Sequence, residues 1–257
     1  MNWSRRSFLK VAGVSLLGVG AKPVLDAIAG IEPSKIPAAA EALKGKRWAM
    51  VVDLKKFKTD DDYKRCVDAC HRAHNVPDFG NPKDEIKWIW KEPFKDVFPG
   101  QENKFIGGGA HENPVLVLCN HCDNPPCVRV CPTKATFKRE EDGIVMMDYH
   151  RCIGCRFCVA GCPYGARSMN FRDPRSSLKE INPDFPTRTK GVVEKCNFCV
   201  ERLVKGLQPA CVEASGGGLI FGDLKNPESE VRKVLEARFA IRRRPDLGTL
   251  PQVYYIV

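Results

Sequence analysis

The chain has 257 residues, and its 13 cysteines are concentrated in four groups. Within a group most neighbouring cysteines are separated by two, three or four residues, which is the spacing of metal-ligating thiolates. The first group is Cys66 and Cys70; the second is Cys119, Cys122, Cys127 and Cys131; the third is Cys152, Cys155, Cys158 and Cys162; the fourth is Cys196, Cys199 and Cys211. The sequence therefore predicts metal-centred chemistry carried by thiolates.

The third group has the spacing C-x2-C-x2-C-x3-C-P, which is that of the cluster-binding run of bacterial ferredoxins. In such a run three thiolates hold one [4Fe-4S] cluster, and the fourth reaches a neighbouring cluster. The second group repeats this plan with two extra residues and contains Pro125 and Pro126. Together, the second and third groups predict a two-cluster module.

The other two groups are incomplete, since Ser215 stands where a fourth cysteine would follow Cys211 and only two cysteines remain in the first group. Structural zinc is one alternative, but zinc favours isolated sets of four ligands from two C-x2-C pairs. A disulfide scaffold is another, and the odd number of cysteines and their short spacings disfavour it. Iron–sulfur clusters account best for the pattern.

The formal net charge of +10 at pH 7 is of the sign that favours nucleic-acid partners. No recognition motif accompanies it, and a [4Fe-4S] core with four thiolates carries about −2, so bound clusters would offset most of the excess. No nucleophile, general base or phosphate-binding loop stands out in the sequence. Electron transfer through the clusters is therefore the chemistry that the sequence supports; the alternative class is a zinc-stabilised structural module.

The N-terminal segment resembles a twin-arginine export signal. SRRSFLK at residues 4–10 precedes a mildly apolar stretch at 11–21 and the small-residue site Ala27-Ile28-Ala29. We expect residues 1–29 to be a cleaved signal and the protein to work in the periplasm or at the outer face of the cytoplasmic membrane. A retained membrane anchor is the alternative, but the apolar core is shorter than the roughly 20 residues that span a bilayer.

The elements that must position these groups are short. Residues 30–47 are expected to be a linker, with a short helix over 38–43 as an alternative. Apolar runs predict strands at 48–54, 115–118, 144–148 and 219–222, and a charge-rich helix is predicted at 228–244. Pro- and Gly-punctuated loops are expected at 77–114 and 172–190. The first loop holds Trp88 and Trp90, either as a hydrophobic plug or as a docking anchor.

From about residue 48 to 257 the chain resembles the four-cluster ferredoxin-like subunits of the molybdopterin oxidoreductase (DMSO reductase) superfamily. VVDLKKF, DACHRAHNVP, CNHCDNPPCVRVCPT, DYHRCIGCRFC and EKCNFC are similar to the DsrO family within it. The resemblance implies an α+β fold of two interleaved ferredoxin-like modules. Residues 48–76 with 190–224 would form the outer module, 112–171 the inner module, and 225–257 a C-terminal helix and tail.

The family's pairing of cysteine groups implies three complete ligand sets, and cluster A, cluster B and cluster C are named here by these sets. Cluster A would take Cys119, Cys122, Cys127 and Cys162; cluster B would take Cys131, Cys152, Cys155 and Cys158; cluster C would take Cys70, Cys196, Cys199 and Cys211. A fourth site, here called the vacated site, would consist of Phe57, Tyr63, Cys66 and Ser215 and lacks three of its thiolates. The resemblance therefore implies three [4Fe-4S] clusters, bound through twelve of the 13 cysteines.

The resemblance also implies partners. Electrons would pass between a multihaem cytochrome c (DsrJ-like) and an integral membrane quinone-reactive subunit (DsrP-like), with DsrM-like and DsrK-like subunits in the same complex of dissimilatory sulfur metabolism. In relatives that work with a molybdenum subunit, the cluster missing here is the one nearest that subunit. The alternative function is the iron–sulfur subunit of a molybdopterin reductase acting on tetrathionate, thiosulfate or polysulfide.

Several polar residues near the cysteines are open to two interpretations. His71, His74 and His121 could tune cluster potentials through hydrogen bonds to sulfur, or simply pack in the interior or contact solvent. The acidic run at 60–62 could offer oxygen ligands near Cys66, although a solvated turn explains it more simply.

Overall fold

The computed structural model describes residues 42–101 and 114–257, so the predicted signal segment and most of the expected linker lie outside the described residues. The strands are β1 (Trp48–Asp53), β2 (Ile89–Pro93), β3 (Pro114–Leu118), β4 (Thr136–Lys138), β5 (Val145–Met147), β6 (Ser168–Met169), β7 (Val193–Glu194), β8 (Leu219–Asp223), β9 (Ala240–Ile241) and β10 (Val253–Ile256). The helices are α1 (Asp60–Ala73), α2 (Phe94–Val97), α3 (Pro126–Arg129), α4 (Phe157–Ala160), α5 (Val200–Leu203), α6 (Ala210–Ala214) and α7 (Glu230–Ala237).

Small sheets and short helices make up an α+β fold, and the largest sheet has four strands in the order β8-β1-β10-β9. Strand β1 pairs antiparallel with β8 and parallel with β10, and all six of its residues are buried. Met50 and Val52 face the main core, while Ala49 and Val51 pack against Val231 of α7. The period-2 alternation of strand side chains thus lets β1 join two apolar layers.

Three hairpin-like pairs of strands lie next to the cysteine groups. Strand β3 pairs with β2 and leads directly into Cys119, and β4 pairs with β5 in the segment between the second and third groups. Strand β6 pairs with β7, which ends just before Cys196. The second, third and fourth groups are therefore each held near a strand whose backbone is fixed by pairing.

Helix α1 presents Cys66 and Cys70 on its buried face and packs against α6. At its start, the backbone N–H and the hydroxyl of Thr59 both donate to the Asp62 carboxylate, at 2.8 and 3.0 Å. Asp60 pairs with Lys91 at 2.6 Å. Two carboxylates of the acidic run thus have structural partners, and acidic side chains at a helix N-terminus are favoured by the helix dipole.

The four predicted strands are confirmed as β1, β3, β5 and β8, whereas the helix predicted over 228–244 is wrong beyond residue 237. The backbone becomes extended at Arg238 (φ −132°, ψ 143°), and the chain then enters β9, which pairs with β10. Pairing with a distant strand overrides the local charge pattern there. The last residues of the predicted tail form β10, an interior strand of the main sheet.

The predicted loop at 77–114 contains β2 and α2, and residues 42–47 form neither helix nor strand. Trp88 is fully buried and Trp90 is 7% exposed, so both indoles pack in the interior as a plug. Among the described residues, no helix combines the length and the apolar character needed to span a bilayer.

Candidate metal centres

The four cysteines of cluster A line one small cavity, together with Pro125, Pro126 and Tyr164. Cys119 and Cys122 come from the loop after β3, Cys127 from α3, and Cys162 from the turn after α4. Pro126 opens α3, the position at which proline is tolerated because the first backbone N–H of a helix has no intrahelical acceptor. Burial raises the pKa of Cys122 to about 12, and the neighbouring thiol of Cys119 contributes to this rise. Soft sulfur donors that converge on an enclosed space fit an iron–sulfur cluster.

The cysteines of cluster B lie where α3 contacts α4, and they are the most exposed of the three sets. Cys158 is buried, while Cys131, Cys152 and Cys155 are half-buried. Burial raises the pKa of Cys131, but hydrogen bonds from the segment at 133–136 lower it more, so the pKa lies below its ordinary value and favours the thiolate.

The C-I-G-C loop of this set requires a glycine at its centre. Gly154 has φ +68°, and a Cβ atom there would lie 2.5 Å from the Gly191 carbonyl oxygen. Arg156, which precedes α4, also has a left-handed backbone (φ 65°). The loop therefore curls tightly and presses against the segment that leads into β7.

The cysteines of cluster C come from three elements and meet in the interior. Burial raises the pKa of Cys70 well above its ordinary value, and the nearby thiols of Cys211, Cys199 and Cys196 raise it further. Phe198 and Cys199 both have left-handed backbones, and the Phe198 N–H donates to Cys196 Sγ at 3.4 Å. Four buried sulfur donors that converge in the interior are the soft ligands that an iron–sulfur cluster takes, so this set also fits a cluster.

The vacated site is filled by packed side chains. The rings of Phe57 and Tyr63 lie 5.2 Å apart, and the Tyr63 hydroxyl donates to the Pro114 carbonyl at 2.8 Å. The Ser215 hydroxyl donates to the Val212 carbonyl at 2.7 Å. Cys66 is fully buried, and burial raises its pKa to about 11. Two aromatic rings and one neutral thiol thus stand where the resemblance implied a fourth set of ligands.

The three histidines near the cysteines are largely packed in the interior. His74 stacks on Trp88 with ring centroids 4.3 Å apart, and its Nδ1 lies 2.8 Å from the Cys70 carbonyl oxygen and 3.6 Å from Cys70 Sγ. His121 stacks on Phe198 at 3.7 Å. Burial lowers the pKa of His71 to about 4 and that of His121 well below its ordinary value. The rings of His71 and His121 are therefore neutral at pH 7.

One further grouping of possible ligands overlaps cluster C. Atoms of His74, Cys199 and Glu201 lie within 4.8 Å of one another, and His74 Nε2 is 2.9 Å from Glu201 Oε1. Because Cys199 also faces Cys211 and Cys196, this grouping belongs to the surroundings of cluster C.

Sequence reasoning missed two buried cations, Arg167 and Lys195, which are 4% and 1% exposed. Arg167 Nη2 donates to Cys127 Sγ at 3.1 Å, and Lys195 Nζ donates to the Cys196 carbonyl at 2.5 Å. Their positions in the sequence could have identified them, since Lys195 directly precedes Cys196 and Arg167 closely follows the third cysteine group.

Comparisons with known proteins agree with these features. A family model described as a 4Fe-4S dicluster domain matches residues 115–177. The Hdr-like menaquinol oxidoreductase iron-sulfur subunit 1 of Archaeoglobus fulgidus is 42% identical, over 98% of this chain and 97% of that protein. The menaquinone reductase iron-sulfur cluster-binding subunit of Nitratidesulfovibrio vulgaris is 38% identical, over 82% and 88%. A tetrathionate reductase subunit of Salmonella typhimurium is 36% identical, over 100% and 89%.

Proposed function

Because the chain belongs to the family of iron–sulfur electron-transfer subunits of oxidoreductase complexes, which are not catalytic alone, we propose that it binds three [4Fe-4S] clusters and relays electrons within a respiratory complex. The three sets of ligands are those of clusters A, B and C. Each bound cluster supplies one-electron redox chemistry. The observation that carries the proposal is the convergence of Cys119, Cys122, Cys127 and Cys162 on one cavity.

The contacts between sets support an order for the relay. The sulfur of Cys119 in cluster A lies close enough to that of Cys196 in cluster C to help raise the pKa of Cys196. The sulfur of Cys127 in cluster A likewise lies close enough to that of Cys158 in cluster B to help raise the pKa of Cys158. Cluster A therefore lies between the other two, and the two interleaved ferredoxin-like modules would each contribute to one continuous path.

The exposure of cluster B supports its role at one end of the path. Next to its half-buried cysteines, Ile153 is 67% exposed and Phe157 is 59% exposed. Apolar side chains at such exposure beside a redox site suit a protein interface. We assign this face to contact with the quinone-reactive membrane subunit.

At the finer level we propose a DsrO-like role, with electrons passing between a periplasmic cytochrome c and the membrane subunit in sulfite- or sulfate-linked respiration. Export through a twin-arginine signal would place the folded protein in the periplasm. The menaquinone reductase and menaquinol oxidoreductase relatives support a quinone-linked complex.

The second candidate is the iron–sulfur subunit of a molybdopterin reductase, and the tetrathionate reductase relative favours it. The filled vacated site argues against it, because the cluster implied there would face the molybdenum subunit. Phe57 and Tyr63 leave no thiolate at their two positions.

Iron and acid-labile sulfide analysis of paired cysteine variants tests the proposal. Wild-type protein should contain about 12 iron atoms per chain, four in each cluster. Cys66→Ser should retain this content, whereas Cys70→Ser, one helical turn away on α1, should lose iron from cluster C. About 16 iron atoms in the wild type, or iron loss in Cys66→Ser alone, would contradict the ligand assignment.

A further inference from the structure

Arg167 is a buried cation surrounded by sulfur. Its Nη2 lies 2.7 Å from Thr136 Oγ1 and 3.1 Å from Cys127 Sγ, and its Nη1 lies 3.9 Å from Met147 Sδ. The guanidinium interacts electrostatically with the sulfurs of Cys127, Cys119 and Cys158. Arginine stays protonated in proteins, so the positive charge at this position is permanent.

The position of this charge is between two proposed clusters. Cys119 and Cys127 belong to cluster A, while Cys158 belongs to cluster B. Burying a guanidinium without an anion is strongly unfavourable. Thiolates that carry a cluster core, with a net charge of about −2, supply that anion, whereas neutral thiols would not.

A second cation stands between clusters A and C. Lys195 Nζ donates to the carbonyls of Val145 and Cys196, and the thiols nearest its charge are those of Cys119, Cys196 and Cys127. Two of these thiols belong to cluster A and one to cluster C. Cluster A is therefore the set that both cations adjoin.

Cluster C has an anion beside it as well as Lys195. The carboxylate of Glu201 lies close enough to Cys70, Cys196 and Cys199 to help raise the pKa of each thiol. A negative charge near a cluster opposes the addition of an electron, whereas a positive charge near it favours that addition.

We propose that Arg167 is a positioning residue that raises the reduction potential of cluster A, and to a smaller extent that of cluster B, so that cluster A is easier to reduce than cluster C. This inference rests on the proposed ligand sets. The physical cause is that one-electron reduction adds one negative charge, which a fixed guanidinium at 3.1 Å from Cys127 Sγ stabilises in a poorly hydrated interior. The N–H···S hydrogen bond acts in the same direction.

The test is a potentiometric titration of the full chain followed by electron paramagnetic resonance. Cluster A is identified as the signal lost in Cys162→Ala. Arg167→Met and Arg167→Gln should each lower the one-electron equilibrium constant for reducing cluster A at least tenfold, which corresponds to about 59 mV. Arg167→Lys, which keeps the charge, should recover most of that shift.

The matched control is Arg238→Met, which removes a cation paired with Asp53 at 2.6 Å on the main sheet. It should leave the potential of cluster A unchanged. The proposal is overturned if the neutral Arg167 variants titrate within twofold of wild type, or if Arg167→Lys is shifted as far as Arg167→Met. Should Arg167→Met fail to fold, Arg167→Gln and Arg167→Lys decide the question.

The outcome separates this proposal from the ligand assignment. Wild-type protein with iron for three clusters but no shift in the Arg167 variants would refute the role of Arg167 alone. Wild-type protein without about 12 iron atoms would refute the ligand sets themselves.

Discussion

The ion pair between Arg188 and Glu194 is fully buried, with 2.6 Å between Nη2 and Oε2, and its disruption should loosen cluster C. Glu194 also accepts hydrogen bonds from Trp88 Nε1 at 2.9 Å and Asn170 Nδ2 at 2.5 Å. Arg188 donates to the carbonyl of His74 at 2.5 Å, and His74 in turn adjoins Cys70. The pair thus joins β7 and the segment before it to the end of α1.

Glu194→Gln keeps the shape of the side chain but leaves the Arg188 charge buried without a counterion. Such a change costs about 3–5 kcal/mol. Because Arg188 retains its carbonyl acceptors on His74 and Asn75, we expect the lower end of this range, which is on the order of 100-fold in the equilibrium for local opening.

The assay is the rate at which the cluster absorption bleaches in guanidinium, since cluster loss makes unfolding irreversible and a rate is then the meaningful quantity. Glu194→Gln should bleach much faster than wild type, and Arg188→Met with Glu194→Gln should recover most of the loss because both charges are gone. Arg232→Met, which breaks an exposed pair with Glu236, is the control and should change the rate little. A rate for Glu194→Gln within twofold of wild type would refute the reasoning.

Three further predictions concern other parts of the fold. Phe57→Ala should bleach faster than wild type with unchanged iron content, because removing a buried aromatic ring from the vacated site destabilises the folded state by about 3–5 kcal/mol. Gly154→Ala should reduce the iron bound at cluster B, since its Cβ would meet the Gly191 carbonyl; iron analysis showing full occupancy would count against this. Burial raises the pKa of Asp53, but the hydrogen bond from Arg238 helps to lower it below its ordinary value. The ionised carboxylate therefore stabilises the fold above about pH 4, and this stabilisation is lost as the pH falls through the pKa of Asp53 in the folded protein. Asp53→Asn should therefore unfold faster than wild type at pH 7, with the difference narrowing below about pH 4 in stopped-flow unfolding.

Four of the strands, and the cysteine groups, could be predicted from the sequence because both depend on local pattern. Runs such as 48–54 and 219–222 are apolar enough to favour strands in most contexts, and the ligand spacing of 152–162 is set within one loop. The pairing of β1 with β10, by contrast, joins residues about two hundred positions apart. Val253–Ile256 are residue types that favour a strand, but the local sequence does not indicate which strand they pair with.

The buried cations could not be predicted for a related reason. Arg167 and Lys195 belong to residue types that are almost always solvent-exposed. Their burial becomes favourable only where cluster-ligating sulfurs from distant segments, such as Cys119 and Cys196, are brought around them. The prediction of helix beyond residue 237 was wrong for the same reason, because β9 forms by pairing with β10.

The most direct test of the central claim is native mass spectrometry of the anaerobically purified chain, compared with the same chain after the metal is removed. Three clusters held by twelve cysteines predict a mass increase equal to three [4Fe-4S] units, with Cys66 remaining a free thiol. An increase of two or four such units, or one that matches zinc, would contradict the account.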